Sequence, residues 1–475
     1  MKREYNFLAA GEWRRSDTKL QVKNPYKGET FASVYIPTFD DIGNAIESTK
    51  NSFRQTKQMP SHLRSLICAT VANKIMGRKE EVAQILSLEA GKPIAQARTE
   101  IDRAVATFTA SAEEAKRIEG EVIPLDWDPL SEKRSAIIRR FPIGPVLAIT
   151  PFNFPFNLMA HKVAPAIACG CSIVVKPASK TPLTALLMAE MILEAGYPPA
   201  ALSILPVPGA EADSLVSDER FRLVTFTGSP DVGWRIKEKS GKKKVILELG
   251  GNAGVIIHSD ADLKYAISRC VTGGFFYAGQ SCISVQRIYI HDGIYEQFIH
   301  GFLDEISKLV IGDPLDAKVQ VGPMISENEA KRIESWVKEA VEGGARILAG
   351  GKRNGAIYYP TVLTDVKPEM KVSCMEAFAP IVTVERYRNI DDAIAWVDNS
   401  IYGLQAGIFT RDISSIMKAF EEIEVGGIVA NDVPTYRIEH MPYGGLKNSG
   451  IGKEGPRYAI EDMTEVKILI LNMNI

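Results

Sequence analysis

The chain has 475 residues, 56 of them basic and 58 acidic, for a formal charge of −2. So even a balance gives no electrostatic case for nucleic acid or an anionic membrane surface as partner. Hydrophobic residues at 45% and charged ones at 24% are ordinary for a globular protein, and the length exceeds what one core serves, so two or more domains are expected. No basic and apolar leader opens the chain, and six cysteines are too few for a disulfide framework. The expected setting is the reducing cytoplasm. The most apolar segment, 142–175, holds five prolines together with Asn153, Asn157, His161 and Lys162. It reads as buried core around a site and not as a membrane span.

Residues 5–37 alternate in β fashion between turn signals (Ala10-Gly11, Asn24-Pro25, Lys27-Gly28), which predicts a small hairpin layer. Apolar residues then recur at three and four, predicting helices over 40–55, 61–76, 79–90 and 94–116, with Gly91-Lys92-Pro93 as a stop between the last two. Residues 120–141 form an extended excursion. Strands at 146–149, 172–176, 202–205, 223–226 and 244–248 alternate with helices at 157–169, 182–195, 210–217 and 230–239. A second alternation follows Gly250-Gly251: strands at 254–257, 286–291, 380–387, 405–409 and 427–430, and helices at 262–275, 293–309, 327–342, 391–398 and 412–422. Such alternation indicates α/β units with parallel sheets covered on both faces, which take ligands outside the strand carboxyl ends. A last strand spans 465–471.

The stretch GGFFYAGQSCISVQR, 273–287, places Cys282 on a turn between a helix and a strand, where its sulfur can face a cleft. A thiolate is a strong nucleophile, although a lone cysteine is most often a small buried hydrophobe. Its company argues for chemistry: Asn153 in PFNFP, Glu248 in LELGG and Glu376 in MEAFAP. Cys169-x-Cys171 lacks further ligands for a tetrahedral metal, and the six histidines have no metal spacing, so no metal is expected.

PFNFP at 151–155, KPA at 176–178, FTGS at 226–229, LELGG at 247–251, GQSC at 279–282, ExFxP at 376–380 and PYGGLKxSG at 442–450 resemble the aldehyde dehydrogenase superfamily in order and spacing. The resemblance implies a Rossmann-like cofactor domain (1–118 and 141–248), an α/β catalytic domain (249–455) and a small β oligomerisation arm (119–140 and 456–475). Aldehyde oxidation by hydride loss needs a thiolate to form a thiohemiacetal, donors for its oxyanion and a base to activate water against the thioester. The resemblance gives these roles to Cys282, to Asn153 with the Cys282 amide, and to Glu248. It further implies NAD(P), a homodimer or homotetramer, and Lys162 with Glu454 as a proton relay; an ion pair is their plainer reading. For the dinucleotide it implies Lys176, Ser179, Gly209, Phe226, Gly228, Ser229, Val232, Glu376 and Phe378, with a phosphate at the start of helix 230–239. GxGxxG is absent.

Two departures from the family pattern matter. NAD-preferring relatives often carry a glutamate where Ser179 stands, followed here by Lys180. Without that carboxylate a 2′-phosphate is not repelled, so NADP is a candidate alongside NAD. Arg103, His161, Arg437 and Tyr443 fall where simple aliphatic relatives place apolar or aromatic pocket residues, as in the branch handling lactaldehyde and phosphonoacetaldehyde. The alternative is an arginine paired with a nearby carboxylate, such as Glu439 for Arg437. The expected activity is NAD(P)-dependent oxidation of a small polar, hydroxylated or anionic, aldehyde to its acid. A CoA-acylating semialdehyde dehydrogenase and a non-catalytic structural or binding relative are the rivals. Retention of Glu248, Cys282 and Asn153 weighs against both.

Overall fold

A computed structural model describes residues 3–473. Two large sheets face each other across a cleft, and a third, smaller sheet projects as an arm. In the first sheet the strand order is Gly450–Ile451, Lys244–Glu248, Leu223–Thr227, Val146–Ile149, Ile173–Lys176, Leu202–Ile204, Phe7–Ala9 and Glu12–Arg14. Its five central strands are parallel. From Val146–Ile149 the chain adds strands on one side and then returns to the other, so a crevice opens at the carboxyl ends of Val146–Ile149 and Leu223–Thr227. Every residue of Val146–Ile149, Ile173–Lys176 and Leu202–Ile204 is buried, as a sheet covered on both faces requires.

The second sheet runs Arg346–Ala349, Thr361–Thr364, Ile381–Tyr387, Val285–His291, Ala253–Ile257, Gln405–Phe409 and Gly427–Ala430. All pairs but the first are parallel. Its core packs Val255, Ile288, Phe298 and Phe302, while Val146, Phe156 and Met159 belong to that of the first. Thr464–Asn472, Arg134–Pro142 and Glu121–Pro124 form the antiparallel arm.

Most of the sequence expectations for single elements hold within a few residues. The predicted hairpin layer is instead divided. Phe7–Ala9 and Glu12–Arg14 extend the edge of the first sheet, whereas Glu4–Tyr5, Thr30–Tyr35 and Lys19–Lys23 form a separate one. The segment 346–364, for which no element was expected, holds four short strands. Their brevity and polar content, as in Arg353–Asn354, leave no periodic signal. At the carboxyl end, Pro456–Asp462 is a helix packed on helix Pro155–Cys169, and the arm strand begins only at Thr464.

Candidate active site

Helix Pro155–Cys169 organises one wall of the cleft. Proline at its first turn and Gly170 beyond its end, at φ 91°, fit the usual start and stop of a helix. The turn before it carries Asn153, buried, whose Nδ2 donates to the Gln280 carbonyl at 3.1 Å. That bond ties the turn to the Cys282 loop. Gln280 is fully buried, and its side chain accepts from the Ile325 amide at 2.8 Å. Tyr277, Ala278 and Gly279 all have positive φ. A Cβ on Gly279 would lie 2.0 Å from the Ala379 carbonyl oxygen, so the loop demands glycine there. Cys282 thus precedes strand Val285–His291: it stands at the amino end of a strand in the second sheet, facing the carboxyl ends of the first.

Cys282 is half-buried, and its sulfur lies 2.9 Å from the Tyr443 hydroxyl. Burial pushes the thiol up to about 12. Glu248 ends strand Lys244–Glu248, buried, with neither carboxylate oxygen hydrogen-bonded. Burial, and then the Glu454 charge, raise its pKa well above the carboxylate range. A Cβ on Gly444 would sit 2.8 Å from Glu248 Oε1, so glycine leaves room for that side chain. Glu454 accepts from Lys162 Nζ at 3.3 Å and from Arg437 Nη2 at 2.9 Å. Burial opposes its charge, yet Lys162 and Arg437 outweigh burial and hold it at about 2. Lys162 also donates to Thr225 at 3.1 Å. It lies behind the cleft wall.

The cleft encloses about 970 Å³. At one end it is lined by Lys176, Ser179, Gly209, Phe226, Gly228, Ser229, Val232, Glu376 and Phe378. This set fits a nicotinamide dinucleotide. Lys176 is buried and donates only to its neighbour's carbonyl, Pro177, and burial lowers its ammonium to about 8. Ser229 precedes helix Pro230–Lys239 without using its hydroxyl as a cap, leaving it and the helix amides for a phosphate. Glu376 accepts from the Gly251 amide at 3.0 Å and is pushed up to about 7 by burial. A Cβ on Gly250 would come within 2.5 Å of that carboxylate, and one on Gly228 within 2.4 Å of the Phe226 ring. Lys180, next to Ser179, has its Nζ 3.4 Å from Ser326 Oγ and 5.8 Å over the Phe152 ring. Arg235, which sequence reasoning missed, lines the cleft, one helical turn beyond Val232.

Arg103, Arg437 and Tyr443 line the other end. His161 does not. It is buried behind them, its Nε2 between Glu439 and Arg437. Glu439, named above as a possible partner of Arg437, is the hub of this end: it meets Arg103, His161 and Asn157. Burial opposes its ionisation, but His161, Arg103 and Arg437 hold it well below the carboxylate range. Arg437 pairs more closely with Glu454, at 2.9 Å, than with Glu439, at 4.0 Å. Both arginines line the cleft and at the same time pair with buried carboxylates, Arg103 with Glu439 and Arg437 with Glu454 and, more distantly, Glu439, so the pairing considered for Arg437 is present as well. Among the described residues Arg437 Nε, 4.0 Å from Glu439 Oε2, and His161 Nδ1 make no hydrogen bond. Among the described residues no cluster of histidine, cysteine, aspartate and glutamate is suited to a metal, and no helix is long and apolar enough to cross a membrane.

The aldehyde dehydrogenase family pattern matches residues 13–469. The chain is 48% identical to the 3-sulfolactaldehyde dehydrogenase of Priestia aryabhattai over 99% of this chain and 98% of that one. The crystal structure of aldehyde dehydrogenase 21 from Physcomitrella patens, in complex with the reaction product succinate, superposes with a TM-score of 0.98 at 45% identity, covering 100% of this chain and 99% of that chain. The glyceraldehyde-3-phosphate dehydrogenase of Methanocaldococcus jannaschii complexed with NADP gives 0.92 at 39% identity, covering 96% and 100%. The chain belongs to the aldehyde dehydrogenase family and is an NAD(P)-dependent oxidoreductase acting on aldehydes.

Proposed function

We propose that the enzyme oxidises a short anionic or hydroxylated aldehyde to its carboxylic acid through Cys282. The observation that carries this reading is Arg437, a buried guanidinium on the cleft lining whose Nε makes no hydrogen bond, 3.8 Å over the ring of Tyr443, whose hydroxyl reaches the Cys282 sulfur. An apolar substrate leaves that donor without a hydrogen bond, at a cost of about 1–3 kcal/mol, whereas a short anionic or hydroxylated one can satisfy it. The names of the relatives agree: one acts on 3-sulfolactaldehyde and another holds succinate as product.

The Cys282 thiolate attacks the aldehyde carbon, and the resulting oxyanion accepts hydrogen bonds from Asn153 Nδ2 and the Cys282 amide. Lys176, Ser229 and Glu376 would seat the dinucleotide, which when bound would supply the hydride acceptor. Glu248 takes a proton from the water that attacks the thioester, and the Lys162–Glu454 pair behind it adjusts that proton's affinity. Ser179 and Arg235 at the far end of the cleft favour acceptance of NADP as well as NAD. The third sheet, 121–142 with 464–472, serves as the contact of a homodimer or homotetramer.

Turnover of a panel of aldehydes with each cofactor, read by absorbance of the reduced nicotinamide, tests this function. We expect sulfolactaldehyde, lactaldehyde, glyceraldehyde or succinate semialdehyde to exceed hexanal in kcat/KM by at least about tenfold, equivalent to about 1.4 kcal/mol. Arg437→Ala narrows that gap. Hexanal equal to all four overturns the polar pocket, and dependence on coenzyme A overturns hydrolysis to the acid.

A further inference from the structure

The Tyr443 hydroxyl, 161 residues from Cys282 in sequence and 2.9 Å from its sulfur, has no part in the steps set out above. It is firmly held. The ring is buried, and the Arg437 guanidinium covers one face at 3.8 Å. Its backbone forms an antiparallel bridge with Glu454, the Tyr443 amide donating to the Glu454 carbonyl at 3.1 Å. A hydroxyl fixed in this way is a preorganised hydrogen-bonding group aimed at the sulfur. We propose that Tyr443 is a further catalytic residue, whose hydroxyl accepts from the Cys282 thiol, donates to the thiolate, and so sets the supply of nucleophile. This inference rests on Cys282 being the nucleophile.

The sulfur has need of such a donor. Burial raises the thiol, and Glu376 and Glu248, when ionised, oppose its ionisation further; Tyr443 and Arg437 act the other way. Burial, with Cys282 beside it, also raises Tyr443 well above the ordinary phenol value, so at neutral pH it keeps its proton and serves as a donor. On ionisation the S–H bond breaks, its electron pair stays on sulfur and the proton passes to water in the cleft. The phenol O–H then turns toward the sulfur. When the thiolate attacks, that pair becomes the C–S bond and the carbonyl π pair moves to oxygen. The hydrogen bond from Tyr443 weakens as charge leaves the sulfur. Phenylalanine at this position fills the same space without the donor.

The test is the alkylation rate of Cys282 by iodoacetamide, located by mass spectrometry, between about pH 6 and 9 with saturating NADP. Loss of a hydrogen bond to a charged group lowers the thiolate population about tenfold. The freed thiolate is about threefold more nucleophilic, which offsets part of that loss. Tyr443→Phe is therefore expected to alkylate about threefold more slowly at every pH, and to slow the first turnover while NADP affinity is unchanged. A phenol made more acidic by 3-fluorotyrosine at position 443 is expected to speed alkylation, a graded response that a merely structural role does not give. Alkylation of Tyr443→Phe at or above the wild-type rate overturns the proposal. If that variant fails to fold, absence of acceleration by fluorotyrosine does so. Cys282→Ser separates the two readings: retained oxidation in that variant defeats the nucleophile assignment itself, whatever Tyr443 does.

Discussion

At the scale of single residues, Glu248 is, among the described residues, the one buried carboxylate of the site with no hydrogen bond to either oxygen. An ionised group in that position is penalised by desolvation and by the Glu454 charge, so the resting carboxyl holds its proton well above the usual range. It becomes a base as pH rises, and deacylation rises with it. Glu248→Gln keeps the shape and removes the base. We expect rapid mixing of that variant to show up to one equivalent of reduced cofactor per site, followed by a slow steady state that no longer climbs with pH. Loss of the first turnover together with the later ones argues against a separate role in hydrolysis. Glu454, a few residues beyond the same glycine-rich turn, is held at about 2 by Lys162 and Arg437. Two carboxylates within one site are thus driven to opposite protonation states by what surrounds them.

At the scale of elements, the start of helix Pro155–Cys169 is governed by a buried ion pair that no motif announces. Glu100 Oε1 accepts from the Phe156 and Asn157 amides at 3.0 and 3.2 Å, two of the donors that a helix leaves unpaired at its amino end. Its other oxygen meets Lys92 Nζ, and both side chains are fully enclosed. Lys92 in turn lies 3.7 Å over the Phe154 ring and 4.4 Å over that of Tyr277. The same cluster therefore touches the turn bearing Asn153 and the loop bearing Cys282. Removing one partner leaves a buried charge uncompensated, at about 3–5 kcal/mol. We expect Lys92→Met to lower unfolding free energy by that amount in urea titration and to reduce kcat more than it raises KM. The double change Lys92→Met with Glu100→Gln is expected to recover part of the stability, because no lone charge remains.

At the scale of the whole molecule, the arm ends in a nine-residue strand, Thr464–Asn472, which stands at the edge of its sheet. Val466, Ile468, Leu469 and Ile470 on it are 54%, 53%, 55% and 55% exposed. A long, apolar edge of this kind invites pairing. The second sheet offers its own edge, Gly427–Ala430, beside a helix whose Ile413, Met417 and Phe420 share one exposed face. Two complementary patches of this type suit association of two copies by closed symmetry. We expect sedimentation of the wild type to give a dimer or tetramer, and Ile468→Asp combined with Ile470→Asp to give monomer. A wild type that sediments as a monomer at micromolar concentration removes the arm from that role.

The elements of this protein are written locally. Helix Glu327–Glu342 and strands Lys244–Glu248, Gln405–Phe409 and Gly427–Ala430 occupy the residues that periodicity alone assigns. The motif residues Asn153, Glu248, Glu376 and Cys282 are legible because their chemistry needs particular side chains at turns and strand ends, and all of them line one cleft. Only the tertiary structure decided how charges are shared around that cleft. His161 and Glu439 are 278 residues apart, and Arg103 and Glu439 are 336 apart; no local pattern couples them. The same holds for Lys180, whose Nζ lies beside Ser326 and Phe152, and for Arg235, which lines the cleft. Backbone preference and burial pattern depend on a few neighbours in the chain, so they can be read in order. The protonation of a buried carboxylate, and the partner of a buried arginine, depend on whatever the fold brings within a few ångströms, and that is set only when both sheets have closed on the cleft.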